Sequence, residues 1–167
     1  LHIICPTREH CEYLFEQLKK NTEGQSFLFH GGMTKKKFYE SYNSLNDLQK
    51  SSLVVSTAHF IDIPQYHTGT LIIEQESSDY YRHIPKPFID MRVFAEEYAR
   101  NSGYECILAD GIVRPESWYK IEQGHAECIE PFQKKVFKEG EIKLIQQSQK
   151  ISGKQSDTER YQELHQK

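Results

Sequence analysis

Thr70-Leu71-Ile72-Ile73-Glu74-Gln75-Glu76-Ser77 decides the fold: a short run too continuously apolar for a strand with one wet face passes directly into a cluster of acidic and amide side chains. A strand buried on both faces belongs in a parallel sheet. Polar residues immediately after it lie where such sheets collect ligand-handling groups, beyond the carboxyl ends of their strands.

Working outward, the same kind of strand recurs at Ser52–Ser56, Ser26–Phe29 and Leu1–Cys5, and on the other side at Tyr104–Ala109. Helical periodicity separates them. Thr7 is placed to cap a helix carrying Cys11, Leu14, Phe15 and Leu18 inward, and Thr34 caps another with Phe38, Tyr42 and Leu45 inward. Asn21 to Gln25 reads as a turn and Gly31-Gly32 as a loop. A helix is predicted over Phe88–Asn101, with Met91, Phe94, Ala95 and Tyr98 on its inner face and Gly103 as its stop. Glu116–Gln123 reads as a helix, Ala126–Ile129 and Lys143–Ile145 as short strands, and Glu74–Pro87 as one long polar loop. Strands alternating with helices predict an α/β fold, a mostly parallel sheet covered by helices on both sides.

The chain has 167 residues, 37% hydrophobic and 27% charged, which fits one ordinary soluble domain with a real core. No apolar run approaches the roughly 20 residues that span a bilayer, so no membrane partner is expected and a cytoplasmic location is. Leu1 is not an initiator methionine and His2-Ile3-Ile4-Cys5 already has the character of a buried strand, so the sequence is expected to open inside a larger domain. Cys5, Cys11, Cys106 and Cys128 form no CxxC pair and no Cys/His ligand spacing, which favours free, buried thiols over a metal site. A formal charge of −3 argues against the strong basic field of a non-specific nucleic-acid binder, with local clusters such as Lys35-Lys36-Lys37 left as contact points.

Five segments then occur in an order and spacing that resembles the first motor lobe of the primosomal (replication-restart) helicases, together covering the chain to about Phe132. Ile3-Ile4-Cys5-Pro6-Thr7 is similar to that family's strand and loop ending in Val-Pro-Glu. Phe29-His30-Gly31-Gly32-Met33-Thr34 is similar to its His-Ser-Gly-Leu-Ser stretch, where small residues let backbone approach a phosphate at a helix start. Leu53-Val54-Val55-Ser56-Thr57-Ala58 sits where the family reads Ile-Val-Ile-Gly-Thr-Arg, with Thr57 kept and the Arg replaced by Ala58. Thr70–Glu76 resembles the Walker B strand and its Asp-Glu-Glu-His box, followed by Ser77-Ser78-Asp79-Tyr80-Tyr81 in place of a Ser-Ser-Tyr-Lys run. Ala109-Asp110-Gly111 through Pro115-Glu116-Ser117, with Gln123-Gly124, resembles the Gly-Ser-Ala-Thr-Pro-Ser-Leu-Glu-Ser coupling segment. Lys86-Pro87-Phe88 with Asp90 and Arg92 resembles the run between these last two.

The resemblance implies a RecA-like lobe over residues 1–132, with 133–167 as a linker and the start of a second lobe. It implies DNA, forked or single-stranded, and that second helicase lobe as partners, with ATP and Mg²⁺ as the family's cofactors. It assigns Thr7, His30, Gly31, Gly32 and Thr57 to nucleic-acid contact, Asp110, Gly111, Pro115, Glu116 and Ser117 to coupling, and Glu74, Gln75 and Glu76 to a degenerate catalytic box. No G-x-x-x-x-G-K-[ST] loop occurs in the sequence. In the natural register Glu74 replaces the Mg²⁺-binding Asp, and Gln75, whose amide cannot accept a proton, replaces the water-orienting Glu. Shifting by one residue puts Gln75 at the metal and Glu76 at the base, so no register restores both roles. Impaired or absent hydrolysis is the expectation; the alternative is a non-catalytic structural or protein-interaction lobe.

The plainer readings stand beside these. Glu74 to Asp79 can be a solvated loop, and Tyr80, Tyr81 and Phe88 can pack on the sheet or stack on bases, with packing favoured. Lys35–Lys37 oppose the dipole of the helix they begin, which phosphate attraction or ordinary solvation explains. Trp118 and Tyr119 are expected to anchor a helix to the sheet. His30 and His59 lack a Ser or Cys partner at any nucleophile motif, so a hydrolase triad has little support.

Overall fold

The computed structural model of the chain describes residues 1–22, 25–47, 51–63, 69–83 and 86–129. Five strands, β1 (His2–Cys5), β2 (Gln25–Phe29), β3 (Ser52–Thr57), β4 (Thr70–Glu74) and β7 (Glu105–Ala109), form one sheet in the order β2-β3-β1-β4-β7, every pair parallel. The helices are α1 (Arg8–Lys19), α2 (Lys35–Asn46), α3 (Met91–Ser102) and α4 (Pro115–Glu122). The α/β architecture with helices flanking a parallel sheet is therefore as the sequence predicts.

Period-two alternation sorts the apolar residues into layers. On one face Ile3, Cys5, Leu53 and Val55 meet Cys11 and Phe15 of α1. On the other, Phe27, Phe29 and Val54 meet Leu45 of α2, while Ile4, Leu71 and Ile73 meet Ala95 and Ala99 of α3. Each fully buried large apolar side chain stabilises by about 1.5–3 kcal/mol, against about 1 kcal/mol for a cap. The layering dictates the fold, and the caps set where helices begin. Thr7 and Thr34 cap α1 and α2 as expected, their hydroxyls accepting from the His10 and Lys37 amides at 3.2 and 3.3 Å. Gly103, at φ 72°, ends α3 in the left-handed conformation that a side chain would oppose.

Several local expectations are corrected. The third helix starts at Met91 and not at residue 88, because the Asp90 carboxylate caps it by accepting from the Arg92 amide at 3.0 Å. Ile89–Asp90 instead forms a short strand, β6, antiparallel to β5 (Arg82–His83). The stretch after β4 is thus no featureless loop: it holds a 3₁₀ turn over Asp79–Tyr81 and then β5. Phe94 is 43% exposed and Trp118 and Tyr119 are 42% and 60% exposed, so none anchors its helix. The α4 residue that turns inward is Ser117, and the Trp118 indole N–H donates to Glu122 one turn on. Residues 126–129 form no strand: α4 ends in a left-handed Gly124, with the His125 amide donating back to the Lys120 carbonyl, and the chain beyond is exposed.

Cys5, Cys11, Cys106 and Cys128 are all free. The first two are buried, Cys106 is half-buried, and Cys128 is exposed, which departs from the expectation for that residue. Hydrogen bonding with Cys11, together with burial, pushes the Cys5 thiol up, and burial pushes Cys106 up to about 11. Cys5 and Cys106 stay protonated and unreactive at neutral pH. Among the described residues no helix is long and apolar enough to cross a membrane. The residues to Cys128 make one compact unit, while the expected strand at 143–145 and the expected second-lobe start over 133–167 lie outside the described residues.

Candidate functional site

Because all five strands of the sheet run the same way, each segment singled out in the sequence emerges at one edge. In sheet order these are the loop of His30–Thr34 after β2, Thr57–Phe60 after β3, Pro6-Thr7 after β1, Glu74–Ser78 after β4 and Asp110–Arg114 after β7. Parallel sheets bind their ligands at this carboxyl edge.

The glycine loop is internally braced. His30 is 6% exposed, and its Nδ1 accepts from the Gly32 amide at 3.1 Å while its Nε2 lies 3.3 Å from Glu12 Oε1. Accepting at Nδ1 puts the proton of the neutral ring on Nε2, aimed at Glu12. Burial lowers the His30 pKa, helped by Arg8 and Lys37 and opposed by Glu12. Both ring nitrogens are therefore spent on holding the loop. Gly32 is tight for a reason the sequence does not disclose: a Cβ there would come within 2.5 Å of Arg8 Nη1. The space over this glycine is filled by a guanidinium, itself held by Glu12 at 2.8 Å. Arg8 joins the site, and its position directly after Thr7 was the available signal. Gly31 is open, with nothing within 4 Å of where a side chain would begin.

The Thr7 hydroxyl is committed to its cap, whereas Thr57, at the end of β3, makes no side-chain cap bond. Ala58 is buried against Ile4 and Leu71, so position 58 faces the core.

In the acid box, Glu74 ends β4, half-buried, with Oε1 3.7 Å from His10 Nε2. Gln75 sits at φ 53°, a left-handed conformation uncommon for a residue with a side chain, and its amide nitrogen is 3.5 Å from His10 Nδ1. Glu76 is 3% exposed, and its carboxylate accepts from the Ser117 hydroxyl at 2.6 Å and from the Arg114 amide at 3.3 Å. It caps α4 from outside, where an anion is favoured. In the shifted register Glu76 would be the water-orienting base, and its oxygens are here engaged in the interior by Ser117 and the Arg114 amide.

Box and coupling segment are brought together directly. The Glu76 amide donates to the Ala109 carbonyl at 3.2 Å, and the Ser77 amide donates to Asp110 Oδ2 at 2.7 Å. Asp110 also accepts from the Ile112 amide at 3.2 Å. Burial works to raise its carboxyl, but these amide bonds outweigh it and hold the group below its ordinary value. Pro115 occupies the first turn of α4, and Glu116 pairs with Arg114 at 3.0 Å. Gly111 is open, with nothing within 4 Å of an added Cβ.

Beneath the box lies Arg92, 1% exposed, which sequence reasoning did not identify as a site residue. Its Nη1 donates to the Glu76 and Ser78 carbonyls at 2.6 and 3.2 Å, and Nε and Nη2 grip Asp90 at 2.8 and 2.6 Å. Tyr81 completes the support: its buried hydroxyl lies 2.9 and 2.6 Å from the Ile4 and Glu74 carbonyls. The single O–H serves one of them at a time.

These residues do not fit a Mg²⁺–nucleotide centre of the kind the resemblance implies. Such a centre needs an acid free to hold the metal and a second carboxylate facing solvent. Here one position is the neutral Gln75, Glu76 is turned inward, and among the described residues no three His, Cys, Asp or Glu side chains gather so as to hold a metal ion. No protein-family model matches this chain, and no curated protein is significantly similar to it in sequence.

Proposed function

We propose that this chain is a nucleic-acid-binding lobe of the primosomal-helicase type, which holds DNA along the carboxyl edge of its sheet and does not sustain ATP hydrolysis. The supporting observation is the convergence on that edge of five segments far apart in sequence, joined across β4 and β7 by the Ser77–Asp110 and Glu76–Ser117 bonds. Arg8 and the half-exposed Thr57 lie on the same edge, and Lys35–Lys37 begin the helix that leaves it. They are the groups available to phosphates.

Binding of a fluorescent single-stranded or forked oligonucleotide should weaken linearly on a log–log plot against salt. With two to four phosphates neutralised, the slope for a single strand is roughly −1.5 to −3. Affinity indifferent to salt would sink the DNA reading.

Phosphate release from ATP with DNA present should stay at background. Gln75→Glu alone should not restore it, because this sequence still has no G-x-x-x-x-G-K-[ST] loop to hold the phosphates. DNA-stimulated turnover on the order of 1 s⁻¹ would overturn this.

A protein-interaction lobe is the second reading. It is favoured by the exposed aromatics Trp118 and Tyr119 on α4, and binding of a protein partner with no salt-dependent DNA affinity would select it.

A further inference from the structure

We propose that the cavity of about 240 Å³ beyond the carboxyl ends of β1 and β3 binds a single nucleobase, a site that deepens the nucleic-acid reading without depending on it for the base itself. Pro6 and Met91 give apolar walls, and His59, His83, Thr57 and Arg82 supply the polar lining.

Size comes first. Pockets for drug-sized ligands run from about 300 Å³ upward, so a smaller cavity takes one ring system and little more. Shape and chemistry narrow the class. The His59 and His83 rings, both lining the cavity, stand 6.2 Å apart, centroid to centroid, and 73° from parallel, an edge-to-face pair that adds flat aromatic surface to the lining. The Thr57 hydroxyl, which caps nothing, offers a donor and acceptor at the strand end. A flat heterocycle with hydrogen-bonding edges matches this lining better than an aliphatic or purely anionic ligand does.

Arg82 sets where a sugar-phosphate would lie. Its nearest carboxylates, Asp79, Asp90 and Glu116, are 3.6 to 3.9 Å away, and the latter two are held more closely by Arg92 and Arg114 at 2.6 and 3.0 Å. Its guanidinium can meet a phosphate joined to the bound base. Three acids so near disfavour a free phosphate, so the base is the anchor.

The test uses the full chain in two arms. In the first, adenosine is titrated while the His59 and His83 imidazole proton signals are followed by NMR; both should shift at millimolar nucleoside. In the second, a short single strand is compared with an abasic strand of equal charge. The strand with bases should bind roughly tenfold tighter. His59→Ala and His83→Ala should each close most of that gap while leaving abasic binding and the salt slope unchanged, and His59→Phe, which keeps a ring face, should retain part of it.

Equal affinity for both strands with no imidazole shift overturns the nucleobase pocket and leaves the DNA reading intact. Imidazole shifts with adenosine, but no strand binding at any salt, support the pocket as a free-nucleoside site and remove the DNA reading. Both histidines are exposed, so the alanine variants should fold, which unchanged thermal unfolding checks.

Discussion

Replacing Arg92 by methionine is expected to cost about 3 kcal/mol of unfolding free energy, the lower end of what losing one partner of a buried ion pair costs. The side chain is 1% exposed yet donates to four acceptors, both Asp90 oxygens and the Glu76 and Ser78 carbonyls, and its guanidinium carbon lies 5.8 Å from the Tyr81 ring centroid. Methionine fills much of the volume but leaves the two carbonyls without the guanidinium and the half-buried Asp90 with only the residue-92 amide and the more distant Arg82. Asp90 is 25% exposed and can recruit water, which keeps the cost from the top of the range. Burial pushes the Asp90 carboxyl up, and the bonds from Arg92 more than reverse this. In Arg92→Met the Asp90 pKa should therefore rise. Arg92→Lys should fall between, because one ammonium cannot reproduce the fork. Urea denaturation of the three proteins checks the order. A methionine variant within about 0.5 kcal/mol of the parent, an ordinary surface effect, would show that the geometry around Arg92 carries little energy.

Arg92 also marks the limit of what the sequence discloses. Strands β1, β3 and β4 were legible because Ile3-Ile4, Leu53-Val54-Val55 and Leu71-Ile72-Ile73 are apolar on both faces, and only a parallel sheet between helices buries both. A buried arginine has no such pattern. Its only local trace is Asp90 two residues before it, readable in sequence as a helix cap and not as an ion pair. The same limit split Tyr80 from Tyr81. Adjacent in the chain, they differ by a 3₁₀ turn that sends Tyr81 into the core at 1% exposure and leaves Tyr80 at 77%. Packing was the right reading for one and not for the other.

The acid box was legible as chemistry but not as geometry. That Gln75 cannot accept a proton follows from its identity alone. That Glu76 faces inward depends on Ser117, 41 residues on, and on the Arg114 amide, so only the folded arrangement of β4 and α4 discloses it. The glycine loop behaves alike. Gly32 reads as room for a phosphate, and the room is taken by Arg8, a contact between the β1–α1 and β2–α2 connections. Phe94, Trp118 and Tyr119 failed for a simpler reason: aromatic residues at plausible helical spacing do not reveal how far a sheet extends beneath them.

The second large expectation concerns acid. His2 is buried between β1's neighbours, its Nε2 2.8 Å from the Ser56 hydroxyl. Burial, with a smaller contribution from the N-terminal charge, lowers its pKa from 6.5 to about 3. The unfolded chain binds a proton at this residue below about pH 6.5, and the folded chain does not until about pH 3. Unfolding therefore takes up a proton throughout that window, and stability falls with pH by about 1 kcal/mol per unit, reaching several kcal/mol at the bottom of it. Above pH 6.5 the group has no effect. His30, lowered in the same direction by burial, adds to the upper part of the slope, while Asp90 and Asp110, both held below their ordinary values, lose their contributions only as pH falls toward and below 4. The contribution of His2 is isolated by His2→Gln, whose amide can still meet Ser56 but takes up no proton. Chemical denaturation at half-unit steps from pH 7.5 to 4 should show the variant less stable at pH 7.5, where the shape of the imidazole is lost, yet with a slope shallower by about 1 kcal/mol per unit below pH 6. If parent and variant fall in parallel, His2 takes up its proton in the folded state, and the β1–β3 core is wetter at that position than its 2% exposure implies.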